Sequence, residues 1–203
     1  MPHPDAPAPR TRMLLLAAAG TAALLLTGCA QTGAEPGPST SLTAEATDPN
    51  MADEMFTAMM IPHHEQAIEM SDMLLAKQDA DPEVADLAQR IKDAQGPEIE
   101  LMEGWLSEWG SSMSDSGMSG MDHGGTDDGM MSDDDMTALE EADGATASRL
   151  FLEQMIEHHD GAIDMAQDVL EDGQSPEVRA LAEQIIQTQQ SEISEMQALL
   201  DQS

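Results

Sequence analysis

The sequence predicts an all-α fold, a four-helix bundle built from two duplicated helical hairpins. Three observations lead to this. An eleven-residue stretch occurs twice, as Met60-Ile-Pro-His-His-Glu-Gln-Ala-Ile-Glu-Met70 and as Met155-Ile-Glu-His-His-Asp-Gly-Ala-Ile-Asp-Met165, 95 residues apart. A second set, running from Pro82 and Val84 through Leu87, Ala88, Ile91, Gln95, Glu98, Ile99 and Met102 to Leu106, returns 94 residues later, from Pro176 to Leu200. Apolar residues in these segments recur at helical spacing. A lone hairpin would leave its apolar stripe in water, so two copies most simply bury each other.

The elements follow in order. Arg10 and Arg12 precede the apolar run Met13 to Leu26, which is short for a membrane span and fits a signal peptide over residues 1–28. The run ends in Leu26-Thr27-Gly28-Cys29, which resembles the bacterial lipoprotein processing box; the resemblance implies cleavage before Cys29 and lipidation of its thiol. The alternative is an ordinary secretory signal beside an incidental cysteine. Residues 29–47, rich in Gly, Pro, Ser, Thr and Ala, form a flexible tether. Asp48-Pro49 starts a helix to about Lys77, with a kink expected at Pro62, which lacks a backbone donor. Asp81-Pro82-Glu83 starts a second to about Trp109, interrupted at Gly96-Pro97. These make the first hairpin, residues 48–109.

Residues 110–131 turn to Gly, Ser, Asp and Met with no basic residue, and are expected to form a disordered connector. The remainder, 132–203, holds a short helix capped by Ser132 and ended by Gly144, then the second hairpin, with helices over about 146–171 and from Ser175-Pro176 to Leu200. Residues 48–203 are thus expected to form one bundle domain.

Composition narrows the function. The formal charge is −33, and removal of the leader takes away Arg10 and Arg12 but only one acid, Asp5. So acidic a chain is repelled by nucleic acid and by anionic membrane surfaces and is suited to collecting cations. There is no Tyr, and Phe56, Phe151, Trp105 and Trp109 are the whole aromatic supply, so the core falls to aliphatic residues and to 18 methionines. Cys29 is the single cysteine, which excludes a disulfide and a thiolate metal site in the bundle.

Four of the six histidines lie in the repeated stretch. At about 100° per residue, Phe56, Met70 and Leu74 fall within about 20° of His63, and Phe151, Met165 and Val169 do the same for His158. Both therefore sit in mid-apolar face, whereas His64 and His159 lie about 100° away on a flank. A buried imidazole must satisfy its nitrogens, and a hydrogen-bond network across the bundle is one way to do so. The other is metal: imidazole with thioether is a soft ligand set that suits copper, Cu(I) in particular. The connector carries the same donors in Met118, Met121, His123, Met130 and Met131, a second capture site on this reading.

Enzyme motifs fail on spacing. His64-Glu65 opens like a zinc-protease helix, but Ile68 stands where the second histidine is needed. No helix carries the Glu-x-x-His of di-iron bundles, and neither a phosphate loop nor a nucleophile elbow is present. No active site is expected.

The paired M-I-x-H-H-[ED]-x-A-I-[ED]-M stretches, with Gly129-Met-Met-Ser-Asp-Asp-Asp-Met-Thr-Ala-Leu139 and Arg149-Leu-Phe-Leu-Glu153, resemble domain-of-unknown-function family 305 over about residues 48–203. The resemblance implies a ferritin-like bundle, an extracytoplasmic location, and copper binding of the kind linked to copper tolerance. It implies His63, His64, His158 and His159 as ligands, with the neighbouring Met59, Met60, Met70, Met155 and Met165. The expected function is a membrane-anchored lipoprotein that binds copper for buffering, delivery or tolerance, with a metal ion and the membrane as partners and no nucleic acid. The alternatives are an envelope structural or interaction protein whose histidines brace the core, and a ferritin-like metal oxidase.

Overall fold

The computed structural model describes residues 48–111 and 128–202. These form five α-helices and no strand: α1 (Met51–Leu75), α2 (Pro82–Trp109), α3 (Asp133–Glu141), α4 (Gly144–Asp172) and α5 (Pro176–Leu200). The expected signal peptide and tether, Cys29, and Met118, Met121 and His123 of the connector lie outside the described residues. Among the described residues no helix is long and apolar enough to cross a membrane.

Local chemistry sets the helix starts. α1 begins two residues later than Asp48-Pro49 suggested, because Asn50 accepts the Asp53 N–H at 3.0 Å while the Asp53 carboxylate accepts the Asn50 N–H at 2.8 Å, a reciprocal capping box. Asp81, Ser132, Asp143 and Ser175 cap the other four helices. Gly110, at φ +69°, ends α2 in the left-handed conformation that glycine adopts without strain. α1 continues through Pro62, and α2 continues through Gly96-Pro97 without the expected interruption.

α1 packs along α2, α4 packs along α5, and α1 meets α4 across the middle. α2 and α5 close the bundle through Arg90, whose guanidinium donates to both carboxylate oxygens of Glu195 (3.0 and 2.5 Å), and through Gln184, which donates to Glu98 at 3.1 Å. The two hairpins are related by a pseudo-twofold axis, visible at the ends of the bundle. Asp53 near the start of α1 accepts the Gln174 and Ser175 N–H groups, each at 3.0 Å, in the turn between α4 and α5. Its counterpart Ser148, near the start of α4, accepts the Asp81 N–H at 2.9 Å in the turn between α1 and α2. α1 and α4 are therefore antiparallel, and the axis passes between their midpoints.

The apolar core is divided in two. One cluster holds Ala67, Met70, Leu74, Leu87 and Ile91 with Phe151, Leu152 and Met155. The other holds Phe56, Met60, Ile61 and Met102 with Ala162, Val169, Leu181 and Ile185. Pairs such as Phe56 and Phe151, Met60 and Met155, or Ile91 and Ile185 occupy equivalent places in the two clusters. The buried polar residues His63, His64, Gln95, His158, His159, Gln189 and Glu192 come from the middle of their helices.

Residues 110–131 were expected to lack stable contacts. Residues 128–131 instead belong to the domain. Met131 is buried in the first apolar cluster, and its backbone is held by the side chain of Gln66 at 2.7 and 2.9 Å.

Candidate metal centre

The two adjacent histidines of each copy serve two interfaces. Neighbours on a helix point about 100° apart, and α1 and α4 each pack both against each other and against their own hairpin partner, so both directions are buried. His63 and His158 point across the α1–α4 contact, where their ring centroids are 3.8 Å apart and their planes inclined by 39°. His64 points at its own hairpin partner and donates Nε2–H to Glu98 Oε2 at 2.8 Å. His159 does the same to Glu192 Oε2 at 2.8 Å. The flank expected for His64 and His159 is thus an interior position, and both are fully buried.

The polar accounting in this layer is incomplete. His63 donates Nε2–H to the Asp128 carbonyl at 3.0 Å. A carbonyl or carboxylate can only accept, so Nε2 carries the hydrogen in His63, His64 and His159. Their Nδ1 atoms have no hydrogen-bond partner among the described residues, and neither nitrogen of His158 makes a bond of ordinary geometry, although the His63 backbone lies close enough to act on it. Gln95 Oε1 and Gln189 Oε1 are likewise buried without a partner among the described residues. Each buried polar atom left so costs about 1–3 kcal/mol. A protein that holds several such atoms in one layer gains by giving them a ligand.

Burial also fixes the charge state of the central pair. Desolvation, followed by the adjacent His64, lowers the His63 pKa to about 3, against a smaller opposite effect of the Asp128 carbonyl. Desolvation, followed by His63 and His159, lowers His158 well below its usual value, against a smaller opposite effect of the His63 backbone. Both are neutral at physiological pH, the form in which imidazole binds metal.

The donor set fits a soft metal. Three imidazoles show the arrangement found around metal-ligating histidines, one nitrogen tied to an oxygen acceptor and the other left over. Met60, Met70 and Met155 are fully buried and Met59 and Met165 half-buried. They lie on α1 and α4 within about two turns of the histidines. Among the described residues no three His, Cys, Asp or Glu side chains converge as a ready coordination shell. Two imidazoles would therefore have to be completed by methionine sulfur. Of the connector donors that are described, Met130 is half-buried and Met131 is a core residue, which removes Met131 from any flexible capture site.

Sequence reasoning missed Glu98, Glu192, Gln95 and Gln189. The signal was present: both pairs recur in the repeat, polar residues among positions of apolar spacing.

The model of the domain of unknown function DUF305 matches residues 53–200. The chain belongs to the DUF305 family. Solved structures of DUF305 proteins have the same fold. A fragment from Deinococcus radiodurans is 30% identical, with a TM-score of 0.68 over 76% of this chain and 98% of that one. A DUF305 protein from Streptomyces coelicolor, classed provisionally as secreted, is 36% identical, with a TM-score of 0.67 over 74% of this chain and 93% of that one. CopM in its Cu(II)-bound form is 34% identical, with a TM-score of 0.62 over 74% of this chain and 96% of that one; CopM is also known in Cu(I)-bound, silver-bound and apo forms. No curated protein matches the chain. Copper binding is thus a property found within the DUF305 family.

Proposed function

We propose that this DUF305 protein is an extracytoplasmic lipoprotein, anchored through Cys29, that binds copper as Cu(I) for buffering, delivery or tolerance. His63 and His158 are the central ligands, His64 and His159 the outer ones, and Met59, Met60, Met70, Met155 and Met165 supply thioether sulfur. The observation that carries this reading is the His63–His158 contact at 3.8 Å, made by two imidazoles that burial keeps neutral and that retain unpartnered nitrogens among the described residues. Copper-bound and silver-bound CopM support it at the level of the family. Met118, Met121, His123 and Met130 form a weaker, accessory capture site. No catalytic role is proposed, since the cargo needs only to be held and released.

A second reading has its own support. Glu98 and Glu192 satisfy one nitrogen each of His64 and His159, as a purely structural network would. Titration of the soluble mature chain against a Cu(I) chelator of known affinity separates the two. Stoichiometric Cu(I) uptake supports the metal site. A chain that never competes with a weak chelator leaves the histidines as core braces.

A further inference from the structure

We infer that Gln66 and Gly161 are positioning residues for His63, acting through the segment 128–131. The inference deepens the copper reading, because it assigns what presents one central ligand of that site.

Gln66 and Gly161 are the same position in the two copies, three residues after the first histidine. The pseudo-twofold symmetry is broken there for a physical reason. On α1, the Gln66 side chain donates to the Met131 carbonyl at 2.9 Å and accepts the Met131 N–H at 2.7 Å. That pair of bonds clamps one residue of the segment. On α4, Gly161 leaves open the space that the segment fills: a Cβ there would stand 2.0 Å from the Asp128 oxygen and 2.4 Å from its carbon. Gly129, at φ +77°, completes the fit, since a Cβ on it would lie 2.7 Å from the Glu157 carbonyl oxygen. The segment thus rests directly on the α4 backbone between Glu157 and Gly161, across the turn that carries His158.

Held in this way, the Asp128 carbonyl receives His63 Nε2–H at 3.0 Å. The bond selects one tautomer. Nε2 keeps the hydrogen, and the Nδ1 lone pair is the one left for a metal. His158 makes no bond of ordinary geometry at either nitrogen among the described residues and has only the nearby His63 backbone to influence it, so its tautomer is held less firmly. One imidazole of the pair is therefore set in advance and the other is less constrained, an arrangement that lowers the ordering cost of binding while leaving room for the ion.

The test uses the mature chain without metal, with the ring nitrogens of His63 read by nitrogen-15 NMR, and then Cu(I) competition on the same samples. In the unsubstituted protein His63 should be a pure Nε2–H tautomer. Gly161→Ala, which in an ordinary helix interior raises stability, should here displace the segment. Gln66→Ala should release it without adding an atom, so it decides the matter if Gly161→Ala fails to fold. Each should give a tautomer mixture at His63 and weaken Cu(I) about tenfold. The double variant should be no worse than either, because both act through one segment. A pure Nε2–H signal retained in both single variants would overturn the inference. A tautomer shift in the variants, with no Cu(I) bound by the unsubstituted protein, would uphold the positioning and sink the copper reading alone.

Discussion

His63 and His158 are equivalent residues in contact, with ring centroids 3.8 Å apart at the meeting of α1 and α4. Two equivalent residues can touch only around the axis that relates them. The contact is therefore the centre of the duplicated fold, and any ligand taken there is shared by both halves.

The neutrality of this pair has a consequence for stability. Both folded-state pKa values lie below the unfolded value of about 6.5, that of His63 at about 3. The unfolded chain therefore binds more protons once the pH drops below about 6.5, and the folded state loses stability as pH falls toward 3. Each histidine adds to the loss, by up to roughly 1 kcal/mol per pH unit. Urea unfolding at pH 7.5, 6.0 and 5.0 should show this fall. His63→Gln/His158→Gln should show a shallower one, and equal slopes would remove the buried pair as its cause.

The outer pairs should behave alike. Glu98→Ala and Glu192→Ala each leave a buried imidazole N–H without its acceptor, at a cost of about 1–3 kcal/mol. The pairs sit in separate hairpins, so their effects should add to within about 0.5 kcal/mol. Unfolding of the two single variants and the double variant checks both points. A large deviation from additivity would mean that the two pairs belong to one coupled network.

Asp53 should matter more than its counterpart. Its carboxylate accepts the N–H groups of Asn50, Gln174 and Ser175, whereas Ser148 accepts that of Asp81. Asp53→Ala should cost about 3 kcal/mol or more and Ser148→Ala about 1 kcal/mol. Equal losses in thermal unfolding would show that the two bundle ends are energetically the same.

Most of the helical frame was legible in the sequence because it rests on local signals. Asp81, Ser132 and Ser175 announce their helices through capping chemistry, and the repeat itself implies the pairing of hairpins. The placement of His63 and His158 was legible for the same reason, since helical spacing puts both in mid-face. The depth of His64 and His159 was not: whether a flank is buried depends on how many helices an element touches, which periodicity does not report. Glu98 and Glu192 belong to partner helices, so only the fold reveals whom they meet. Segment 128–131 was missed because its composition is that of a connector. Its order comes from Gln66 and Gly161, which lie 62 and 33 residues away from Asp128 in the chain.

The proposed anchor is tested by Cys29→Ala in the native host. The protein should leave the membrane fraction, as an unprocessed or a soluble form. An unchanged membrane fraction with intact lipid modification would place the anchor elsewhere.

The central claim is that the paired histidines hold Cu(I). Competition of the mature chain against a Cu(I) chelator at pH 7.5, with His63→Ala/His158→Ala alongside, tests it most directly. Helicity of the variant by circular dichroism serves as the control for folding. The expected result is a tight site in the unsubstituted protein that is lost in the double variant, leaving only weaker, methionine-dependent binding. A folded double variant that keeps the full Cu(I) affinity would contradict the account.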